Sequence, residues 1–180
     1  MSGPIDTEIK DSEKFELTGS DILRIIQNNG KVMSYSKLER FDDIDSALEP
    51  YGAIVLLYEV KKNYGHWVCL FRRGKNTLEF FDPYGLKVDE ELGFQNNLYM
   101  RESYDGGMPH LTYLLKKSKY NVVHNPYKFQ RTKEDVNTCG RHCAVRLRFR
   151  DTPIDEYHEL MTTNKCYDAD WFVSAMTILI

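Results

Sequence analysis

Apolar and polar positions divide the chain into stretches of different period. Residues 1–17 are polar and acidic with no apolar repeat, which predicts a loosely ordered lead-in ahead of one domain spanning residues 18–180. Thr18-Gly19-Ser20-Asp21 has the form of a capping box, and Ile22, Ile25 and Ile26 follow at helical spacing, so a short amphipathic helix is expected there. Polar sequence then runs to Pro50. The nearly continuous apolar run Ala53-Ile54-Val55-Leu56-Leu57-Tyr58 predicts a central strand buried on both faces. Two further runs, His66 to Phe71 and Thr77 to Asp82, flank the turn-forming Arg72-Arg73-Gly74-Lys75-Asn76 and predict an antiparallel hairpin.

Pro83-Tyr84-Gly85 stops the third strand, and the glycines at 93, 106 and 107 predict loop for most of the stretch to Pro109. His110 to Lys117 reads as a helix with Leu111, Leu114 and Leu115 on one face, followed by a short strand around Asn121-Val122-Val123. Helical pattern resumes at Cys139. Thr152-Pro153 marks a cap and an N1 proline before Ile154, Tyr157 and Met161, and a last helix carries Trp171, Phe172, Ala175, Met176 and Leu179 on one face. The order of helix, sheet, then helices predicts an α+β fold with a central mixed or antiparallel sheet flanked by helices.

Composition narrows the function classes. At 180 residues with 42% hydrophobic content the chain can bury a core of its own. With 24 basic and 27 acidic side chains the net charge is -3, which argues against a dedicated nucleic-acid binder. No apolar stretch approaches the roughly 18 to 20 residues of a membrane span, and the polar start lacks a signal-peptide core, so a soluble, intracellular protein is expected, with no membrane partner. Four cysteines, at 69, 139, 143 and 166, are too sparse for a disulfide scaffold and leave core packing, metal binding or nucleophilic chemistry open.

Cys139 has the setting a nucleophile needs. Extended Val136-Asn137-Thr138 ends in two capping residue types, and Cys139 opens the following helix, where the macrodipole and unpaired backbone N–H groups favour a thiolate. Gly140 beside it would let a substrate backbone approach closely. His66 starts one strand of the expected hairpin and Asp82 ends the other, and their separation of 16 residues suits a return that sets carboxylate against imidazole. Trp67 is placed to line the cleft and shield the imidazole. A thiol with an imidazole base, itself oriented by a carboxylate, is the minimal set for acyl transfer.

Gly65-His66-Trp67, then Phe81-Asp82-Pro83-Tyr84-Gly85, then Asn137-Thr138-Cys139-Gly140-Arg141-His142-Cys143 together resemble the adenovirus-type maturation proteases, in particular those of virophages, polinton-type elements and large DNA viruses. The resemblance covers roughly residues 18 to 180, and the order His, Asp, Cys is shared with the ubiquitin-like protein proteases and reversed from papain. It implies a papain-like cysteine endopeptidase of permuted order with Cys139 as nucleophile, His66 as base and Asp82 as orienter. The expected substrate is a viral capsid or virion precursor cut near glycine, in the host cytoplasm, virus factory or virion. The family places a glutamine some six or seven residues before the nucleophile to help form the oxyanion hole, where this chain has Thr132 and Lys133. Gln130 fills that role if the loop Arg131 to Val136 carries an insertion. No cofactor or metal is implied. Relatives are stimulated by DNA and by a viral peptide; the acidic balance makes DNA a doubtful partner, a peptide activator is not legible, and a monomer is expected.

Plainer readings stand beside each of these. A lone cysteine is usually a small hydrophobe, His66 alone could be a satisfied strand histidine, and Asp82 alone a turn residue before proline. Cys143, one turn after Cys139, suits the inner helix face with Leu147, and core or incidental roles suit Cys69 and Cys166. Cys139, His142 and Cys143 form a Cys-x-x-His-Cys run, but a structural zinc site needs a fourth ligand and no second pair occurs at zinc-site spacing. Arg141, Arg146, Arg148 and Arg150 read as a solvated face. A deconjugating protease for a ubiquitin-like C terminus, or a catalytically silent peptide- or zinc-binding module, are the rival functions.

Overall fold

The computed structural model describes residues 3–93 and 108–178. A five-stranded sheet forms its centre, in the order β1 (Lys31–Ser34), β2 (Ala53–Lys61), β3 (Tyr64–Arg73), β4 (Thr77–Phe81), β5 (Asn121–His124). β2, β3 and β4 are antiparallel neighbours, while β1 and β5 lie parallel to the strands they flank, so the sheet is mixed. The expected hairpin is present, closing at the pair Arg73 and Thr77, with Gly74 in the left-handed region at φ 69° where a side chain would be strained.

Strand alternation explains how one run is buried twice. Val55, Leu57, Trp67, Cys69, Phe71 and Phe81 point to one face and join Ile22, Cys143, Ala144 and Tyr157. Ile54, Leu56, Tyr58, Val68, Leu70 and Phe80 point to the other and join Leu38, Ile44, Leu111 and Leu114. Helices α2 (Gly19–Ile25), α5 (Cys139–Arg148), α6 (Ile154–Thr162) and α7 (Ala169–Thr177) cover the first face, and α3 (Ile44–Leu48) with α4 (His110–Lys117) the second. The α+β class read from element order is the one found, and α4 has the bounds its leucine period predicts. None of the described helices is long and apolar enough to cross a membrane.

Several local expectations are corrected. Residues 4–12 of the lead-in form helix α1 (Pro4–Ser12), started by Pro4 at its first position and held by a single buried apolar residue, Ile9, too sparse a signal to show a period. The polar stretch before Pro50 contains β1, a 3-10 turn (Tyr35–Arg40) and α3, each too short for periodicity to reveal. In α7 the buried side is Ala169, Asp170, Val173, Ser174 and Thr177, whereas Met176 is exposed and Trp171 stacks on Tyr167; Leu179 and residues 94–107 lie outside the described residues.

The basic face of α5 is also not solvated. From Cys139 to Leu147 the helix is buried all round, and Arg141 and Arg146 lie inside it. Burying these cations requires remote partners: Arg141 donates to Thr177 Oγ1 and to the Ser12 carbonyl, and Arg146 forks onto Glu79, 67 residues earlier in the chain. Only Arg148 and Arg150 retain substantial exposure.

Candidate active site

His66 and Asp82 meet at one end of the hairpin. Cys69 is paired with Phe81, so Asp82 falls opposite Val68 on the same sheet face as His66, one diagonal step away. His66 Nε2 lies 3.0 Å from Asp82 Oδ1, and both residues are buried. The turn Asp82-Pro83-Tyr84-Gly85 fixes the carboxylate: Oδ1 also accepts the Tyr84 N–H at 2.7 Å, and the Asp82 carbonyl accepts from the Gly85 N–H and from Asn125 Nδ2. Gly85 has φ 77°, and a Cβ there would stand 2.9 Å from the Tyr127 carbonyl, so glycine is required on both counts.

Cys139 is the first residue of α5 and buried, with Thr138 as its N-cap residue. Its thiol lies near enough to the His66 imidazole to help raise the pKa of the ring. Burial alone would push the pKa of His66 down. The hydrogen bond and charge of Asp82, then those of Cys139, outweigh burial and hold it well above the usual histidine value, so the ring favours the imidazolium.

The sequence assigns the shield over the imidazole to Trp67, but Tyr84 takes that place, stacked on the ring with centroids 4.8 Å apart and planes 20° apart. Burial and the charge of Cys139 push the Tyr84 phenol up to about 12, which keeps it neutral. Trp67 points to the opposite sheet face, donates from Nε1 to the Leu17 carbonyl, and lines a cleft of about 430 Å³ with Leu17, Gly19, Val32 and Met33. A second cleft, of about 360 Å³, is lined by Tyr84, Leu86, Glu91, Lys128 and Thr132. Gly140 is buried rather than open to a cleft: a Cβ there would come within 3.1 Å of Trp67, 3.2 Å of Ile22 and 3.3 Å of Leu17. Its lack of a side chain serves packing.

Gln130 is buried on the loop between β5 and α5, packed against the turn that carries Asp82. Its backbone N–H donates to the Pro83 carbonyl, its Nε2 donates to the Val136 carbonyl at 3.2 Å, and its Oε1 has no partner among the described residues. The side chain thus spans the loop that leads into Cys139. His142 Nε2 is held by Asp170 at 2.9 Å, and the Cys143 thiol donates to the Trp67 carbonyl. Among the described residues the Cys-x-x-His-Cys run therefore does not converge on one point. Cys69 and Cys143 are buried in the core and Cys166 is exposed.

Sequence reading missed Tyr84, Asn125, Glu91 and Asp170. Tyr84 was legible only as a turn residue. Glu91 stands with His66 and Asp82 so that one ligand atom from each lies within 4.8 Å of the others; burial raises its pKa, His66 opposes this and Asp82 adds to it. Asp89, at φ 59°, anchors this segment by accepting from Tyr35, Tyr58 and Thr112. Partners so distant leave no local signal.

No protein-family model matches the chain. Over 150 residues it is 42% identical to the V9 protein of Sputnik virophage, a match covering 83% of this chain and 85% of V9. Among solved structures, the ASFV pS273R protease superposes with a TM-score of 0.50 at 15% identity over 97% of this chain and 69% of its own. The SUMO protease Ulp1 superposes with a TM-score of 0.43 at 12% identity over 99% of this chain and 95% of its own. The fold is that of the ASFV protease, and by sequence the chain belongs to the family of the Sputnik virophage V9 protein.

Proposed function

We propose that this protein is a cysteine endopeptidase that processes viral capsid or other virion precursors, cutting near small residues such as glycine. The observation that carries the reading is the buried imidazole of His66, which is hydrogen-bonded to Asp82 and interacts with a cysteine on the first residue of a helix. A protease fold and a virophage relative support it. The Cys139 thiolate attacks the scissile carbonyl carbon, a C–S bond forms, and the carbonyl π pair moves to oxygen. Backbone N–H groups of the first turn of α5 and the Gln130 amide stabilise that oxyanion. As the intermediate collapses the C–N bond breaks and His66 gives its proton to the departing amine. Water then attacks the thioester while His66 takes its proton, the second oxyanion collapses with cleavage of the C–S bond, and the acid product leaves Cys139 as the thiolate beside the imidazolium. The Asp82 carboxylate fixes the ring and stabilises the imidazolium. Nucleophile, base and oxyanion donors in this reading all belong to one chain.

The test is to incubate the purified protein with capsid precursor from a virophage of this family and, separately, with a ubiquitin-like reporter, locating cuts by mass spectrometry. Cleavage of the precursor after a small residue, with the reporter intact, is expected. Cleavage of the reporter alone would reassign the protein to deconjugation, and cleavage of neither, with or without added viral peptide or DNA, would overturn the proteolytic reading.

A further inference from the structure

Asp170 is a carboxylate that the reaction above does not use, yet it has no solvent exposure and four hydrogen-bond donors. One oxygen accepts the Thr138 hydroxyl and His142 Nε2, the latter at 2.9 Å. The other accepts the backbone N–H and the Nε of Arg131, both at 2.9 Å. Thr138 immediately precedes Cys139, and Arg131 immediately follows Gln130. A single side chain on α7 therefore holds the two chain segments that supply the oxyanion donors.

The Thr138 hydroxyl points to a second consequence. Threonine at an N-cap normally accepts a backbone N–H of the first turn, which stabilises a helix by about 1 kcal/mol. Here the hydroxyl is turned to Asp170 and makes no cap hydrogen bond, so the first turn of α5 lacks the side-chain acceptor that a threonine N-cap usually supplies to its N–H groups. Burial alone would raise the pKa of Asp170, but His142, Thr138 and Arg131 together lower it to about 2, so the group is ionised wherever a cysteine protease works.

We infer that Asp170 is a positioning residue that sets the oxyanion hole, keeping the start of α5 uncapped and in register with Gln130. The inference rests on the proteolytic reading above, and the two can fail separately.

The test uses the full chain with Asp170→Asn, which preserves shape but turns one acceptor into a donor facing donors. With the peptide substrate defined by the cleavage experiment, kcat is expected to fall about 100-fold with KM within about twofold, the loss typical of one misplaced oxyanion donor. A glycinal tetrapeptide, whose hemithioacetal with the cysteine places its tetrahedral oxygen where the oxyanion forms, should lose affinity in parallel. Iodoacetamide labelling of Cys139, which needs no oxyanion hole, should keep its rate and pH profile. Thr138→Val, which removes one arm only, should show the same pattern at smaller size and keeps the test open if Asp170→Asn does not fold. Unchanged kcat in the folded variants, or equal loss of kcat and of alkylation rate, would overturn the positioning role. If the wild-type chain neither cleaves peptide nor shows an activated Cys139, it is the proteolytic reading that fails.

Discussion

Cys139→Ala is expected to lower peptide hydrolysis by about 10⁴-fold or more while leaving the protein folded. The size follows from the role: without a sulfur no thioester forms, and the remaining oxyanion donors and binding clefts give only residual acceleration over water. Folding should survive because the thiol is a small buried group at the edge of the core, whose removal leaves a void of about one atom. Activity measured against the cleaved precursor, with circular dichroism on the same samples, separates the two effects. A variant keeping a tenth of the wild-type rate would remove Cys139 from the nucleophile's place.

The largest effect on stability is expected at Arg146. Its guanidinium is fully buried, with Nε on Glu79 Oε1 at 2.9 Å, Nη2 on Oε2 at 3.0 Å, Nη1 on the Phe149 carbonyl and Nη2 also on the Thr152 carbonyl. The same group lies over the rings of Phe71 and Tyr157, at 5.2 and 4.8 Å from their centroids. Arg146→Ala leaves Glu79 buried with only the more exposed Arg73 as cation partner and takes a donor from the Phe149 and Thr152 carbonyls, of which Phe149 keeps the Thr152 N–H. Breaking a buried pair in this way costs about 3–5 kcal/mol, which urea denaturation would read as a lower midpoint. Arg146→Lys keeps the charge but not the fork and should lie between the two. A loss below about 1 kcal/mol in the alanine variant would show that the Arg146–Glu79 pair contributes little to the fold.

What the sequence made legible follows from the range of the forces involved. Strand alternation and helical period are local, so β2 to β4, α2 and α4 could be read from Ala53 to Phe81, Ile22 to Ile26 and Leu111 to Leu115. The pairing of His66 with Asp82 was legible for the same reason, because a hairpin return is a nearest-neighbour event. Arg146 and Asp170 were not, because each is buried by partners dozens of residues away and looks locally like an ordinary surface charge. Trp67 and Gly140 were placed in the right neighbourhood with the wrong emphasis: they pack on each other, and Tyr84 covers the imidazole. Gln130 lies on the loop before the nucleophile, but its amide faces Val136, which no spacing rule reveals.

The most direct test of the proposed chemistry is the rate of iodoacetamide alkylation at each cysteine, located by mass spectrometry, in the intact protein and in His66→Ala. Exposed Cys166 serves as the ordinary thiol in the same molecule. At about pH 6, where an ordinary cysteine is almost wholly protonated, the mechanism predicts that Cys139 labels many times faster than Cys166 and falls to its rate or below in the variant. Cys139 labelling no faster than Cys166 in the intact protein, and unchanged by the loss of His66, would contradict a thiolate paired with that imidazole.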